Sequence, residues 1–224
     1  VAVQRLRLRQ KSAEITGHGV SMRWSPLALL WGTIKFTNIR ASTLAVALPP
    51  PTDELPKLPQ QLRPPMPVAL TDIEVQRLLL TRDGRTYPAE QISGDIVFGR
   101  RKWDVQIDAA RTPAGAAGLE FKLGTRRPFD LDGDLTLTRR EKTAYTAKLG
   151  ASGSLVAPEL KLAATGGGAS LSAAALLAPF EFNAIQRYAV NANGINPAAW
   201  KAGLPTADFR VSGNGRSLAD KRLQ

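Results

Sequence analysis

The sequence predicts an all-β fold: an elongated, coiled, antiparallel-rich sheet folded over like a taco around an apolar groove, with one short helix near residues 26–31. Three observations carry that prediction. Apolar and polar residues alternate with a period of two through most of the chain, the pattern of strands with one buried face. Turn signals such as Asp83-Gly84 punctuate the alternation at hairpin spacing. Few stretches have a helical period, so a sheet of about a dozen strands must hide its apolar face by folding over or closing on itself.

The first strand is "VAVQRLRL", residues 1–8, with Val3, Leu6 and Leu8 apolar. "GVSMRW" follows, with Val20, Met22 and Trp24 alternating. Ser25-Pro26 has the form of a helix start, Ser as N-cap and Pro in the first turn, and Gly32 closes "LALLW". So short a helix is expected to stand only if its leucines pack against the sheet. "TIKFTNI" and "TLAVALP" place Ile34 and Phe36, then Leu44 and Val46, on one face, with a bend expected at Arg40-Ala41-Ser42.

Composition shifts at Pro49: residues 49–67 hold eight of the chain's 16 prolines. Proline has no ladder donor, so this stretch is excluded from a central strand and is expected to be extended and stiff. Leu55, Leu58 and Leu62 fit it to lie across an apolar edge. The chain thus divides into a first β segment with the helix (1–48), a Pro-rich linker or edge cover (49–67) and a repetitive β-rich groove segment (68–224).

Within the last segment the inward positions are Ile73, Val75, Leu78 and Leu80, then Ile96 and Phe98 beyond the Asp83-Gly84 hairpin. Trp103, Val105 and Ile107 continue the face, followed by Leu119 and Phe121, then Leu135 and Leu137. Residues 171–177 fit a helix or a strand equally, and Ala198–Lys201 has the form of a single helical turn. The named positions from Val3 to Leu137 are the candidate lining of the groove. Their alternate neighbours are polar and often basic, among them Arg5, Arg7, Lys35, Gln106 and Lys161.

One irregularity recurs. In "IEVQRLLL" (73–80) and "VAVQRLRL" (1–8) the apolar residues occupy the first, third, sixth and eighth places, so the alternation slips by one at Gln-Arg. "NAIQRYAV" (183–190) is a fainter echo. A β-bulge or bend at Gln76-Arg77 would keep Ile73, Val75, Leu78 and Leu80 on one side. A reversal between two separate strands is the alternative.

The chemistry-bearing motifs are sparse. With no Cys and a single His, the chain offers no thiolate site, and a serine–histidine–acid triad would rest on His18 alone. His18, between Gly17 and Gly19, is expected at an exposed turn. "FDLDGDL" spaces Asp130, Asp132 and Asp134 like a calcium loop, but Leu135 holds the glycine slot, although Glu141 falls at the twelfth place. "GGG" (166–168) and "GNG" (213–215) are expected in loops and match no phosphate-binding fingerprint. Trp24, Trp31, Trp103 and Trp200 are too dispersed for a nucleic-acid platform and are expected in packing. The formal charge of +11 favours an anionic partner, yet the basic residues are scattered, so no nucleic acid is expected. Neither catalysis, a cofactor nor a metal is expected. No apolar run reaches the ~18 residues of a membrane span. The chain begins at Val1 and is expected to be a piece of a longer protein, with any anchor outside it.

Three phrases in order, "GVSMRWSPLALLWGTIKFTNIRASTLAVALPPP", "PVALTDIEVQRLLLTRDGRTYPAEQISGDI" and "NANGINPAAWKAGLPTADFRVSGNG", resemble the TamB group, the translocation and assembly module subunits of the AsmA-like family of bacterial envelope proteins. The phrase around Trp24–Ile34 is the most specific. The resemblance implies an early segment of a β-rich rod that crosses the periplasm of a diderm bacterium, the whole protein being anchored in the inner membrane. It implies an apolar groove for phospholipid acyl chains and, for the whole protein, an Omp85-class barrel partner, TamA. It leaves two cargoes open: phospholipid moving between membranes, or client strands of outer-membrane proteins and autotransporters under assembly.

Overall fold

The computed structural model describes residues 2–10, 13–50, 55–140, 144–196, 198, 206 and 208–217. The strands are β1 (Ala2–Gln10), β2 (Ala13–Trp24), β3 (Ile34–Ala47), β4 (Val68–Arg82), β5 (Arg85–Phe98), β6 (Lys102–Thr112) and β7 (Gly115–Gly124). They continue as β8 (Asp130–Arg139), β9 (Tyr145–Ser154), β10 (Pro158–Gly166), β11 (Ala169–Leu177), β12 (Ile185–Ile195) and β13 (Phe209–Arg216). They form one 13-stranded sheet in strict chain order. The sheet is open, with no pairing between β1 and β13, and at the usual strand spacing it is about 60 Å long. The all-β, elongated and antiparallel-rich prediction is what the structure has.

One pair departs from the meander. β3 and β4 run parallel, and a parallel pair needs a crossover that a tight turn cannot supply. The proline-rich segment is that crossover. Leu48 N–H donates to Thr81 O where it leaves β3, and Ile34 N–H donates to Pro67 O where it rejoins the sheet. Between these points Leu62 N–H donates to Thr125 O (3.1 Å), beside the β7–β8 connection. Leu58 and Leu62 pack there on Leu123, Leu131 and the fully buried Phe129.

Turn chemistry explains the tight connections. Asp83 and Gly84 have φ of 52° and 72°, the left-handed pair of a two-residue hairpin. Residues 171–177 are strand, within β11. Gly213–Gly215 lie within β13 rather than in a loop, and Asp130, Asp132 and Asp134 lie along β8 rather than in a loop of the calcium-binding kind. Glu141, Trp200 and most of the expected turn at Ala198–Lys201 fall outside the described residues.

The helix differs most from expectation. Pro26–Trp31 is a 3-10 helix closed by Gly32 in the left-handed region (φ 65°). Ser25 caps nothing with its side chain; its N–H donates to Lys35 O instead. None of the helix's residues is buried, so its leucines do not rest on the sheet. Backbone bonds from Ala28 to Ser25 O, Gly32 to Leu29 O and Thr33 to Ala28 O close the helix on itself, and the Ser25–Lys35 bond ties its start to β3.

The recurring slip is a property of the sheet, not of one strand. Pairing between β4 and β5 runs unshifted from Ile73–Gly94 to Arg82–Arg85, so no register-shifting bulge lies at Gln76-Arg77, and β4 does not reverse there. The register instead aligns Gln4, Gly19, Ser42, Gln76 and Gln91 in one row across five strands. Gly19 (φ 60°) and Gln91 (φ 51°) are left-handed in that row. On one side of the row Val20, Ala41, Val75 and Ile92 form a buried cluster; on the other, Leu6, Leu44, Leu78 and Ala89 pack against it. The local test is Gly17: a Cβ there would stand 2.7 Å from Val20 Cγ2. In a straight strand residues three apart point to opposite faces. Here they meet, so the strands bend together and the phase of all five resets at once.

A second reset lies nearer the strand starts. Asn38 (φ 51°) and Asp72 (φ 55°) are in adjacent strands at one level, and the register shifts there on the outer sides of both β3 and β4. Asp72 N–H donates to Asp95 Oδ1 (2.8 Å), and Arg40 binds the Asp72 carboxylate (3.1 Å), the Asp72 carbonyl (2.6 Å) and Glu74 (3.1 Å). These bonds hold the backbone groups that a bulge takes out of the ladder. In the third echo the bulge is a true one. Gln186 has no opposite residue between the pairs Ile185–Leu177 and Arg187–Leu176.

Candidate functional site

The bends and bulges place apolar residues from every strand on one face, in ladders that run across the strands. The longest begins at Trp24 and passes Phe36, Leu70, Ile96, Val105 and Phe121, then Gly133, Ala151, Leu160, Ala175 and Tyr188. Beside it run Ile39, Ile73, Gly94, Ile107, Leu119 and Leu135, then Leu149, Leu162, Ala173 and Val190. A third ladder forms one rim: Ile34, Val68, Phe98, Trp103, Leu123 and Leu131. Leu137 belongs to a fourth at the far side, continued by Ala147, Ala164, Leu171 and Ala192. In β1–β5 the face extends past the bend through Leu6, Leu44 and Leu78, then through Ile15, Val46, Leu80 and Tyr87.

The opposite face is a charge ladder. Asp104, Lys122 and Asp132 are neighbours across β6–β8, and Gln106, Glu120 and Asp134 form the next row. The sheet is therefore amphipathic along its whole length. Among the described residues its apolar face has no second layer apart from one patch at the rim, where Leu58 and Leu62 of the crossover, Phe129 of the β7–β8 connection and Leu155 after β9 pack over Trp103, Phe121, Leu123, Leu131 and Ala151. Most of the ladder residues are half-buried, and Leu135, in mid-sheet, is 37% exposed. The result is an apolar trough about 60 Å long, running across the strands. A pocket of about 210 Å³ lies on its floor between β10 and β12, lined by Ala164, Leu171, Ala192 and Ile195 among others.

Of the positions read from the sequence, Ile34, Phe36, Leu44, Val46, Ile73, Leu78 and Leu80 stand in these ladders, as do Ile96, Phe98, Trp103, Val105, Ile107, Leu119, Phe121, Leu135 and Leu137. Val20, Val75, Met22 and Leu6 belong to the cluster at the bend. Trp24 holds its ladder position but is 47% exposed, and Trp31 is on the surface, so neither is a core tryptophan. Phe98 and Trp103 pack edge to face with centroids 5.3 Å apart. Val3 and Leu8 are placed by backbone pairing with Val20 and Ile15; their side chains lie outside the described residues.

Ile39, Ala41, Leu70 and Ile92 were not singled out from the sequence. The signal was present: β3 and β4 share apolar spacings of two, three, two, three and two, from Ile34 to Val46 and from Val68 to Leu80. Their parallel register sets these series side by side.

His18 is exposed on β2, in the strand rather than in a turn, and no group of three His, Cys, Asp or Glu that could hold a metal occurs among the described residues. No helix among them is long and apolar enough to cross a membrane. No family model matches the chain, and no curated protein and no solved structure is significantly similar to it.

Proposed function

We propose that the chain is a segment of an inter-membrane bridge in the diderm periplasm, which conducts phospholipid along the trough and so supports outer-membrane biogenesis. The observation behind this reading is the apolar face, covered only at the rim by Leu58, Leu62, Phe129 and Leu155 among the described residues and unbroken by a charged ladder position from β3 to β13. Acyl chains would lie along it with headgroups in water. A buried methylene is worth about 0.8 kcal/mol, and an open trough covers about half of each, so a chain of about fourteen methylenes is held by roughly 6 kcal/mol. That is weaker than full burial in a bilayer and lets the chain move on. The role needs no catalytic group or cofactor. In the whole protein, the resemblance to the TamB group adds an inner-membrane anchor and a TamA-type barrel as partner.

A client strand is the competing cargo, in a chaperone-like assembly role. Strand capture needs free N–H and C=O groups. Within the sheet the neighbouring strands use them, leaving the edges at β1 and β13, so the trough floor favours lipid. The test is mass spectrometry of lipids that co-purify with the chain and with Val105→Asp. Phospholipid on the wild type and its loss from a folded variant is the expected result. No lipid on the wild type, or the same load on the variant, overturns the reading.

A further inference from the structure

The 3-10 helix and the arginines beside it form a surface that the trough reading does not use. Leu27, Leu30 and Trp31 are 67%, 77% and 78% exposed; Trp24, two residues before the helix, and Met66, beside the Pro67 whose carbonyl accepts from Ile34 N–H, are exposed too. Leucine and tryptophan left in water on a short, otherwise well-bonded helix form an apolar patch that folding itself does not require. A Cβ on Gly32, the residue that ends this helix, would lie 3.8 Å from Arg100 Nη2. Arg100 in turn belongs to a cavity of about 590 Å³ lined by Arg63, Arg100, Arg101, Arg126, Arg127 and one acid, Asp130. Among the described residues Arg63, Arg100, Arg101 and Arg126 form no ion pair. The cavity is firmly built: Thr125 Oγ1 donates to Arg100 O (2.7 Å), Thr125 N–H to Arg101 O (2.9 Å), and Arg127 Nη2 to Pro59 O.

We infer that this rim of the trough docks on an anionic membrane surface, with Trp31, Leu30 and Leu27 in the interface and the arginine cavity on lipid phosphates. The two parts match the two layers of such a surface. Tryptophan and leucine favour the boundary of headgroups and acyl chains. Unpaired arginines favour phosphate, which their fork binds bidentately. Five arginines against one carboxylate make the cavity complementary to anionic headgroups and repellent to a basic or a purely apolar partner. The site also adjoins Ile34 and Val68, where the rim ladder begins. Docking does not depend on the trough carrying lipid, so either claim can fail alone.

The test is flotation of the whole chain with vesicles of phosphatidylcholine, alone or doped with phosphatidylglycerol, with tryptophan fluorescence read in parallel. Binding only to the doped vesicles, with a blue shift, is expected. Arg100→Glu with Arg101→Glu should weaken it about twenty-fivefold or more, about fivefold or more for each of the two basic residues lost. Leu30→Ser with Trp31→Ser, at surface positions that leave the fold intact, should abolish the blue shift. Lys148→Glu, on β9 away from this rim, should leave binding within about the few-fold effect of one screened surface charge. Absence of binding, equal binding to undoped vesicles, or binding unaffected by the arginine changes overturns the inference. So does self-association without vesicles that Leu30→Ser removes, since the patch would then be an interface between copies.

Discussion

Gly17→Ala is predicted to be destabilising only because β2 bends. The added methyl would stand 2.7 Å from Val20 Cγ2, and Val20 is 6% exposed and hemmed by Ala41 and Val75, so it cannot swing away. Overpacking of this kind costs about 1–3 kcal/mol, offset by roughly 0.5–1 kcal/mol from removing a flexible glycine. The net loss is about 1–2 kcal/mol. Val20→Ala alone loses about 2–3 kcal/mol through the deleted methyls and the space they leave. In the double variant the clash is gone and the new methyl occupies part of that space. The pair should therefore couple by about 2 kcal/mol, measured by urea unfolding of the four proteins at equal m. Additivity within about 0.5 kcal/mol would refute the bend, because in a straight strand residues 17 and 20 face opposite sides.

Gly94→Ala should be far worse than Gly84→Ala. A Cβ at Gly94 would lie 2.0 Å from Gln106 O, a backbone atom held in the sheet, and the cost is about 3 kcal/mol or more in thermal unfolding. At Gly84 nothing lies within 4 Å, so only its left-handed φ is at stake, about 1 kcal/mol. Asp95→Ala strips the acceptor from Asp72 N–H and should cost about 1 kcal/mol, with faster hydrogen exchange at Asp72 and unchanged exchange in β10–β12. Leu58→Ala with Leu62→Ala should loosen the crossover, raising its protease sensitivity ahead of the sheet's, at about 2–4 kcal/mol for two half-buried leucines.

The strands, the Asp83-Gly84 hairpin and the apolar face were legible because each rests on a local rule: period-two alternation or a two-residue turn. The parallel β3–β4 pair was less so, since a proline-rich crossover resembles a linker when its hydrogen bonds to Thr81 and Thr125 are out of sight. The slip in "IEVQRLLL" was visible in one strand, but its cause is the alignment of Gln4, Gly19, Ser42, Gln76 and Gln91, which exists only once register is known. Helix-packing reasoning failed at Pro26–Trp31 because backbone bonds at both ends hold the helix without burying its leucines. The arginine cavity is not legible in the sequence for a related reason. Arg63, Arg100–Arg101 and Arg126–Arg127 are separate in sequence and meet only where the crossover reaches the β7–β8 connection.

Site-specific photo-crosslinking in living cells of a diderm host tests the trough most directly. A photoreactive residue at Leu119, Leu135 or Leu162 should yield phospholipid adducts, and one at Glu120, Asp134 or Lys161 on the opposite face should not. Equal labelling of both faces, or adducts to protein strands alone at the trough positions, would contradict lipid conduction.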